Sequence, residues 1–313
     1  MGPFSPPCLD CAKPVISSAV MANGPLKSEG AEIDGFIAAL DAAREVKDLA
    51  GWRSGFAALD RALNGLSRGL YLLVGPPASG KTALAKQLAD QVVRLNDIAA
   101  LFFTFAETKN DLRVRTLARL SGLETREIRR GAGYLLHTYG AAKQPGAEEP
   151  PAGWDKLKAV AAEAKSWLDR LYLVECDLQT TYEDIARQVT ATRQAAHSQP
   201  LLVVVDDAER LGDGTLAIDA RLPLVVERLS DLAARFDLPM IATWPELDPG
   251  APERWAERAA GATVMVLRDD GSGDAFTRRL TLHIVNNRGG EKANIALDFS
   301  KNLTLAREAS RER

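Results

Sequence analysis

The chain has 313 residues, of which 46% are hydrophobic and 26% are charged, and its formal net charge is −3. These values describe a globular protein of one large domain or two small ones, with no apolar run approaching the ~20 residues that cross a bilayer. No basic segment followed by an apolar core opens the chain, so we expect a cytoplasmic location and no membrane partner. The net charge of −3 argues against a domain whose whole surface binds nucleic acid.

The first 50 residues differ in composition from the rest. Residues 1–30 are rich in proline, glycine and serine and are predicted to form a flexible leader. Cys8 and Cys11 make a lone CxxC there, and because a zinc site needs about four ligands, spare reduced thiols are favoured over a metal site. In residues 31–50, Ile33 and Ile37 lie at helical spacing, which predicts an amphipathic linker helix.

Residues 51–300 alternate apolar strands with longer amphipathic helices. This pattern predicts an α/β domain with a twisted, mainly parallel sheet flanked by helices. The predicted strands are Leu70–Val74, Ala100–Phe105, Leu171–Glu175, Leu201–Val205, Met240–Thr243, Thr263–Leu267 and Leu280–Val285, and helices are expected near 81–95, 109–121, 155–169, 181–196 and 222–237. The last two of these strands and a further one near 294–298 follow each other without long helices between them. This arrangement predicts an antiparallel C-terminal extension of the sheet. Residues 140–153 are predicted to form an exposed loop and 301–313 a C-terminal tail, and the alternating charge of Arg307–Arg313 predicts that the end of this tail is frayed.

A phosphate-binding motif lies between the first strand and the first long helix. The residues Gly75, Pro76, Pro77, Ala78, Ser79, Gly80, Lys81 and Thr82 fit the pattern GxxxxGK(S/T). Glycines let successive amides converge on a phosphate, and the helix that follows adds its positive N-terminal dipole. Lys81 is expected to reach the β- and γ-phosphates and Thr82 to ligate Mg²⁺, which predicts a site for ATP with Mg²⁺. The alternative is a chance glycine-rich turn.

Two acidic positions follow predicted strands. The strand Leu201–Val205 leads into Asp206, at the edge of the sheet where ligands bind in such folds, and Asp206 is expected to hold Mg²⁺ through water. Its neighbour Asp207 is either a second carboxylate near the metal or a solvated neighbour, and we favour the second. Glu107 follows the strand Ala100–Phe105 and is a candidate general base for the attacking water, although position alone fits a solvated side chain equally well.

Further segments occur in an order that resembles a known family. They are Ser54–Asp60 followed by Gly65, Leu66 and Gly69, then Leu101–Glu107, Arg115–Ser121, Glu127–Gly131, Leu171–Gln194, Ala259–Asp270 and Asn286–Gly290. Segment 52–299 thereby resembles the RecA-like ATPase domain of DnaB-type replicative helicases, with the RadA and KaiC branches nearby. The resemblance implies a catalytic Glu107 and an arginine finger, Arg288, that projects into a neighbouring subunit's ATP site. It therefore implies a homo-oligomeric ring, with six copies expected; the alternative for Arg288 is an ordinary turn residue.

The sequence also departs from the family's pattern. Glu209 stands where the family has glutamine, Trp244-Pro245 replaces a Ser-Gln pair, and Asn286 replaces a lysine. The stretch before residue 52 is shorter than the family's primase-recruiting domain. The resemblance places the loop that grips single-stranded DNA at Gly212–Leu222, yet this loop offers only Arg221 as a cation against Asp213 and Asp219, which weakens the hypothesis of DNA binding.

Three functions follow from these observations. The first is an ATP-hydrolysing ring motor that acts on single-stranded DNA as helicase, loader or remodelling factor. The second is a KaiC- or RadA-like regulatory ATPase that acts on protein partners without unwinding DNA. The third, a degenerate nucleotide-binding scaffold, ranks last because Lys81, Thr82, Asp206 and Glu107 are all present.

Two remaining groups of residues are assigned structural roles. The arginines after Glu107 are interpreted as a solvated or intersubunit helix face rather than a phosphate site; they are Arg113, Arg115, Arg129 and Arg130. The tryptophans Trp154, Trp167 and Trp255 are expected to pack rather than to stack on bases.

Overall fold

The computed structural model describes residues 49–140, 153–196, 199–212, 214–247, 250–274, 276–287 and 290–309, together with positions 28, 30, 33–35, 37 and 38. Cys8, Cys11, most of the predicted loop 140–153 and Arg288 lie outside these residues. The chain divides into two units, Met1–Ala50 and Gly51–Arg313. In the first unit, the described positions between 30 and 38 are helical, and Ile33 and Ile37 are exposed.

The second unit is built on a nine-stranded sheet. Its strands are β1 (Gly69–Gly75), β2 (Ala99–Thr104), β3 (Leu171–Glu175), β4 (Leu201–Asp206), β5 (Pro239–Pro245), β6 (Thr263–Gly273), β7 (Thr277–Asn286), β8 (Ala293–Ser300) and β9 (Leu305–Glu308). Their order is β3-β2-β4-β5-β1-β6-β7-β8-β9. Pairing is parallel from β3 to β6 and antiparallel from β6 to β9, which confirms the predicted parallel sheet with its antiparallel extension.

Helices cover both faces of this sheet. They are Ala57–Leu63, Lys81–Asn96, Lys109–Ser121, Thr125–Arg130, Ala132–Gly140, Gly153–Leu168, Tyr182–Ala195, Ile218–Arg235 and Arg254–Arg258. Because side chains alternate along a strand, Leu73 packs into the core beneath Lys81–Asn96 while Leu72 and Val74 pack into the core on the other face. Strands that are apolar throughout are thus buried on both sides. Within the described part of the chain, no helix has the length and apolar character needed to cross a membrane.

Several elements are longer than the sequence predicts, such as β6, which runs to Gly273 rather than Leu267, and two of the differences change how a segment is interpreted. Part of the predicted tail 301–313 forms β9, which pairs with β8, so the sheet extends past residue 300. Alternating charge had indicated a frayed end, but the side-chain amide of Gln87 makes two hydrogen bonds of 2.8 Å with the backbone of Ala306 and fixes this strand. The helix expected at 222–237 begins at Ile218, so it takes up the last residues of the segment Gly212–Leu222.

The parallel strands bring their carboxyl ends to one edge. In register, Thr104 of β2 lies beside Asp206 of β4, and Gly75 of β1 lies beside Pro245 of β5. Loops that leave these strands therefore meet at that edge, where open α/β sheets bind their ligands. The phosphate-binding residues Gly75–Thr82 and the acidic residues Glu107, Asp206, Asp207 and Glu209 all lie in, or next to, the loops that begin at this edge.

Candidate functional site

The phosphate-binding motif Gly75–Thr82 forms a tight loop between β1 and the helix Lys81–Asn96. Ala78 and Gly80 adopt positive φ angles of 60° and 100°, and the Ser79 amide donates to the Pro76 carbonyl at 3.2 Å. A Cβ atom on Gly80 would lie 3.2 Å from the ring of Phe299. Glycine is therefore favoured at position 80 by its backbone angle, and a Cβ atom there would also make a tight contact with Phe299.

Lys81 lies inside the loop that it follows. Its Nζ donates hydrogen bonds of 2.9 Å to the carbonyl oxygens of Gly75 and Pro76, and the residue is 8% exposed. Burial lowers the pKa of the ammonium group, while the negative charges of Asp207, Glu209 and Asp206 raise it. A cation at this position faces the space enclosed by the loop and the β4 terminus.

Asp206 connects the phosphate loop to the centre of the sheet. Its side chain is fully buried, and its Oδ1 accepts hydrogen bonds from Thr82 Oγ1 at 3.1 Å and Thr243 Oγ1 at 2.8 Å. Its Oδ2 is buried and accepts no hydrogen bond from the residues the structure describes. Burial raises the pKa of Asp206 to about 7, with a further contribution from the charge of Asp207. A buried carboxylate oxygen without a partner is costly, so this arrangement fits a bound cation.

The donor set at Asp206 fits Mg²⁺ in particular. A hydroxyl and a carboxylate are hard oxygen ligands, and Mg²⁺ is commonly held by one or two carboxylates together with the phosphates of its substrate. Among the described residues, no group of three or more histidine, cysteine, aspartate or glutamate side chains is arranged to hold a metal ion. The residues that would hold Mg²⁺ are therefore Thr82 and Asp206, with nucleotide oxygens completing its shell.

Glu107 lies at the same edge but is engaged by an arginine. Both of its carboxylate oxygens accept from the guanidinium of Arg115, Oε2 from Nε at 2.7 Å and Oε1 from the terminal nitrogen. The Glu107 backbone is fixed by the Thr104 hydroxyl, at 3.1 Å from its amide and 3.0 Å from its carbonyl. Each side chain of the pair is 21% exposed, so a bound anion can reach it.

Arg115 was grouped by sequence with three other arginines, and the structure separates them. Arg113 donates to Asn110, Arg129 pairs with Asp111, and Arg130 stacks on the ring of Tyr134. The interpretation as a single basic helix face therefore misses the one arginine that contacts the candidate base. The eight-residue spacing between Glu107 and Arg115 gave no signal, because a turn and two helical turns intervene.

These residues surround a cavity of about 470 Å³. Its lining includes Pro77, Ala78, Gly80, Lys81, Thr82, Ala83, Ala106, Glu107, Arg115, Asp207, Glu209, Pro245, Phe299, Lys301 and Thr304. Asp207, interpreted from sequence as a solvated neighbour, instead forms part of this wall and is only partly exposed. Burial raises its pKa, while Arg210 and Lys81 lower it. Three lining residues, Phe299, Lys301 and Thr304, come from the end of β8 and the turn before β9. No sequence motif marks these positions.

A buried acidic residue, Glu246, supports the loop from the β5 side. Its amide donates to the Gly75 carbonyl at 2.8 Å, and its side chain accepts from Trp255 Nε1 at 2.8 Å and pairs with Arg268. Trp244, the first residue of the Trp244-Pro245 pair noted in the sequence, is fully buried in the core. Trp255 and Trp167 are also buried and Trp154 is partly buried, as expected of packing residues.

The resemblance placed a loop that binds single-stranded DNA at Gly212–Leu222. Only the first part of this segment is a loop, because a helix begins at Ile218. The only cation of the segment, Arg221, lies in the first turns of the helix Ile218–Arg235 and donates to the Glu209 carbonyl. Asp219 pairs with Arg258. Asp213 lies outside the described residues. Of the charged residues that the structure describes in this segment, Arg221 is directed back onto the protein, whereas Asp219 remains largely exposed to solvent.

Comparisons with known proteins agree with this geometry. The family model described as "DnaB-like helicase C terminal domain" matches residues 51–243. No curated protein matches the sequence significantly. A solved structure described as an ATPase domain is 17% identical with a TM-score of 0.72, over 90% of this chain and 100% of that chain. A DnaB-like replicative helicase, described with its interactions with primase, is 17% identical with a TM-score of 0.70, over 91% of this chain and 68% of that one. These structures confirm the RecA-like fold, and the family match, which spans more than half of the chain, shows that the protein belongs to the DnaB-like helicase C-terminal domain family.

Proposed function

We propose that this protein is an ATPase that binds Mg–ATP at Gly75–Thr82 and hydrolyses it within a homo-oligomeric ring. The observation that carries the proposal is the 3.1 Å hydrogen bond between the Thr82 hydroxyl and Asp206, beside the buried ammonium of Lys81. A hydroxyl, a carboxylate and a cation that converge at the start of a helix are the groups that position a triphosphate and its metal.

Each residue has a role in this proposal. The amides from Ala78 to Thr82 bind the β-phosphate, and Lys81 binds the β- and γ-phosphates. Thr82 and Asp206 hold Mg²⁺, which when bound neutralises charge on the phosphates. Glu107 orients the attacking water and accepts its proton.

Glu107 can act as a base only when one of its oxygens is released by Arg115, since both oxygens are engaged in the structure. The γ-phosphate offers the Arg115 guanidinium a competing anion in the same cavity. Binding of the triphosphate thereby frees the carboxylate beside the reacting group. Activation of Glu107 is thus tied to the presence of substrate.

The ring is proposed from the family to which the chain belongs. Arg288 is the proposed finger that stabilises charge on a neighbouring subunit's γ-phosphate, a contribution of roughly three to five orders of magnitude in rate. Subunits that carry Lys81→Ala and subunits that carry Arg288→Ala should each be inactive alone. Mixed together they should recover activity, because some interfaces then combine an intact loop with an intact arginine. Absence of recovery from a mixed ring would contradict action in trans.

The substrate of the motor is proposed to be single-stranded DNA, with a protein partner as the second candidate. The second is favoured by one observation: Arg221, the cation of this segment, donates to the Glu209 carbonyl rather than facing a ligand. Strand phosphates are bound by cations, so a loop whose cation is engaged binds DNA weakly. A several-fold rise of ATP turnover with single-stranded DNA supports the first candidate, and an unchanged rate supports the second.

ATP turnover in purified variants tests the activity itself. Lys81→Ala should lower the turnover by at least a hundredfold, because it removes the cation that stabilises the negative charge of the γ-phosphoryl group in the transition state. Lys165→Ala is the matched control, since Lys165 is an exposed lysine on the helix Gly153–Leu168 and pairs with Asp169 just beyond the helix. Turnover that is equal in Lys81→Ala and the control would refute the proposed function.

A further inference from the structure

The outer turn of the phosphate loop is exposed and has an unusual backbone conformation. Ala78 adopts a φ of 60°, which lies in the left-handed region that residues with a Cβ atom rarely occupy. Both Ala78 and Pro77 are exposed, so burial in the core does not hold this turn. A residue stays in such a conformation where the surrounding structure fixes it. The contacts made by Ala78 therefore decide the shape of the loop.

Arg278, at the start of β7, makes one of these contacts. One terminal nitrogen of its guanidinium donates to the Ala78 carbonyl at 3.2 Å. The other donates to Oδ2 of Asp269, on the neighbouring strand β6, also at 3.2 Å. Because the guanidinium is planar and rigid, a contact that fixes one nitrogen also fixes the direction of the other. Arg278 thus connects the phosphate loop to the β6–β7 pair.

Phe299 contacts the loop from the same side. Arg278 and Phe299 are paired residues of the antiparallel strands β7 and β8, so their side chains project from the same face of the sheet. The ring of Phe299 lies against Gly80, while Arg278 reaches Ala78. Ala78 and Gly80 are the two residues of the loop with positive φ. The antiparallel extension therefore contacts the loop at both of its left-handed residues.

The contact with Arg278 sets the direction of one backbone amide. In a planar trans peptide, the Ala78 carbonyl and the Ser79 amide point in opposite directions. With the carbonyl turned to Arg278, the Ser79 amide points into the loop and donates to the Pro76 carbonyl at 3.2 Å. The same Pro76 carbonyl accepts from Lys81 Nζ at 2.9 Å. The amide of Ser79 and the ammonium of Lys81 therefore face the same space.

We propose that Arg278 is a positioning residue of the phosphate loop, which holds the Ala78–Ser79 peptide with its amide turned toward the β-phosphate of the nucleotide. The inference rests on the proposed function and adds to it a residue about 200 positions beyond the loop motif. Arg278 acts through the peptide and not by touching the nucleotide. Because ATP and ADP both carry a β-phosphate, the contribution of Arg278 is the same for both.

The affinities of ADP and of a slowly hydrolysed ATP analogue, each with Mg²⁺, test this role in full-length Arg278→Ala. Displacement of a fluorescent nucleotide measures both. Each should weaken by about fivefold, the effect of losing one charge-assisted hydrogen bond that orients the loop. In steady-state turnover, KM should rise by a similar factor while kcat changes by less than about twofold, since the contact serves ground and transition state alike. Weakening of the ATP analogue alone would overturn the proposal, because Arg278 would then act at the γ-phosphate.

Arg279→Ala is the matched control for charge. Arg279 follows Arg278 on β7, points to the opposite face and pairs with Asp298 at 2.6 Å. The side chains of this pair are 35% and 37% exposed, close to the 26% and 36% of Arg278 and Asp269. Arg279→Ala should leave both affinities unchanged. Equal weakening in the two variants would overturn the proposal, because loss of a nearby positive charge rather than of the contact would explain it.

Asp269→Ala tests whether the bridge acts as a unit. Alone, it should weaken both nucleotides by a smaller factor than Arg278→Ala, because Arg278 loses its anchor but keeps its donor to Ala78. Added to Arg278→Ala, it should have no further effect, since Asp269 acts on the loop only through Arg278. Additive effects of the two substitutions would overturn the bridge.

Hydrogen exchange of the segment 75–82 in the nucleotide-free protein separates positioning from a general loss of stability. Exchange should be faster in Arg278→Ala than in Arg279→Ala, while the urea midpoints of the two variants stay similar. Unchanged exchange in Arg278→Ala would overturn the proposal. A wild type that binds neither nucleotide contradicts the proposed function itself. A wild type that binds both, with equal affinities in Arg278→Ala, overturns only the role of Arg278.

Discussion

A buried cluster of charges joins the helix that follows the phosphate loop to the helix that follows Glu107. Asp90 accepts from Lys86, Arg119 and the Thr116 hydroxyl. The side chains of Lys86, Arg119 and Asp90 are 1%, 6% and 9% exposed. Burial alone would raise the pKa of Asp90, but Lys86 and Arg119 outweigh it and hold the pKa below its usual range. Asp90 is therefore the ionised centre of the cluster.

Replacing Asp90 with alanine leaves two buried cations without their carboxylate. Removing one partner of a buried ion pair costs about 3–5 kcal/mol, which is a large share of the roughly 5–15 kcal/mol that stabilises a folded domain. A matched control exists in the same chain. Lys165 and Asp169 form an i,i+4 pair of the same residue types, with side chains 72% and 64% exposed. Because exposed pairs contribute only ~0–1 kcal/mol, Asp169→Ala should change stability little.

Urea unfolding followed by circular dichroism measures both variants. The unfolding midpoint of Asp90→Ala should fall well below that of Asp169→Ala, with a similar dependence on urea concentration. A loss below about 1 kcal/mol in Asp90→Ala, comparable with that of the exposed control, would contradict the reasoning. It would mean that Lys86 and Arg119 reach water or other partners once Asp90 is removed.

Three further outcomes are expected. Because the folded pKa of Asp90 lies below the ordinary 3.8, its stabilisation is complete above that pH and is lost as the pH falls through the folded value. Unfolding free energies of the wild type and Asp90→Ala, measured in acid, should thus converge, and a constant difference down to pH 2 would refute this. Gly80→Ala forces a side chain onto a φ of 100° against Phe299 and should weaken binding of Mg–ATP by at least tenfold in a fluorescence titration, whereas unchanged affinity would contradict the close contact. Glu246→Leu leaves Arg268 without its buried partner and should lower the unfolding free energy by about 3 kcal/mol in urea, and a loss under 1 kcal/mol would contradict the burial of the pair.

Local sequence was sufficient where a function depends on consecutive residues. The loop Gly75–Thr82 needs a strand before it, a helix after it and glycine at position 80, where φ is 100°, and all three are encoded within about twenty residues. The position of Asp206 at the binding edge is predicted in the same way, from the apolar strand that it ends. The parallel order of the strands then brings Thr82 to Asp206, across 124 residues, without any further signal.

Contacts between distant segments were not readable from a pattern. Strand β9 is held by Gln87, 219 residues earlier, and the charged residues of β9 suggested a frayed tail instead. Phe299 packs on Gly80 only because the antiparallel strands fold back over the loop. Arg115 was counted as one of several surface arginines, since nothing in its neighbourhood distinguishes a cation that pairs with Glu107. Each of these contacts depends on tertiary packing, which overrides local preference.

The central claim is that Gly75–Thr82 binds a triphosphate through its backbone and Lys81. Isothermal titration calorimetry with a slowly hydrolysed ATP analogue and Mg²⁺ tests it most directly, in the wild type and in Lys81→Ala. We expect one binding event per chain in the wild type and an affinity at least tenfold weaker in Lys81→Ala, since a buried charge-assisted contact is lost. Equal affinities, or no heat of binding in the wild type, would contradict the account.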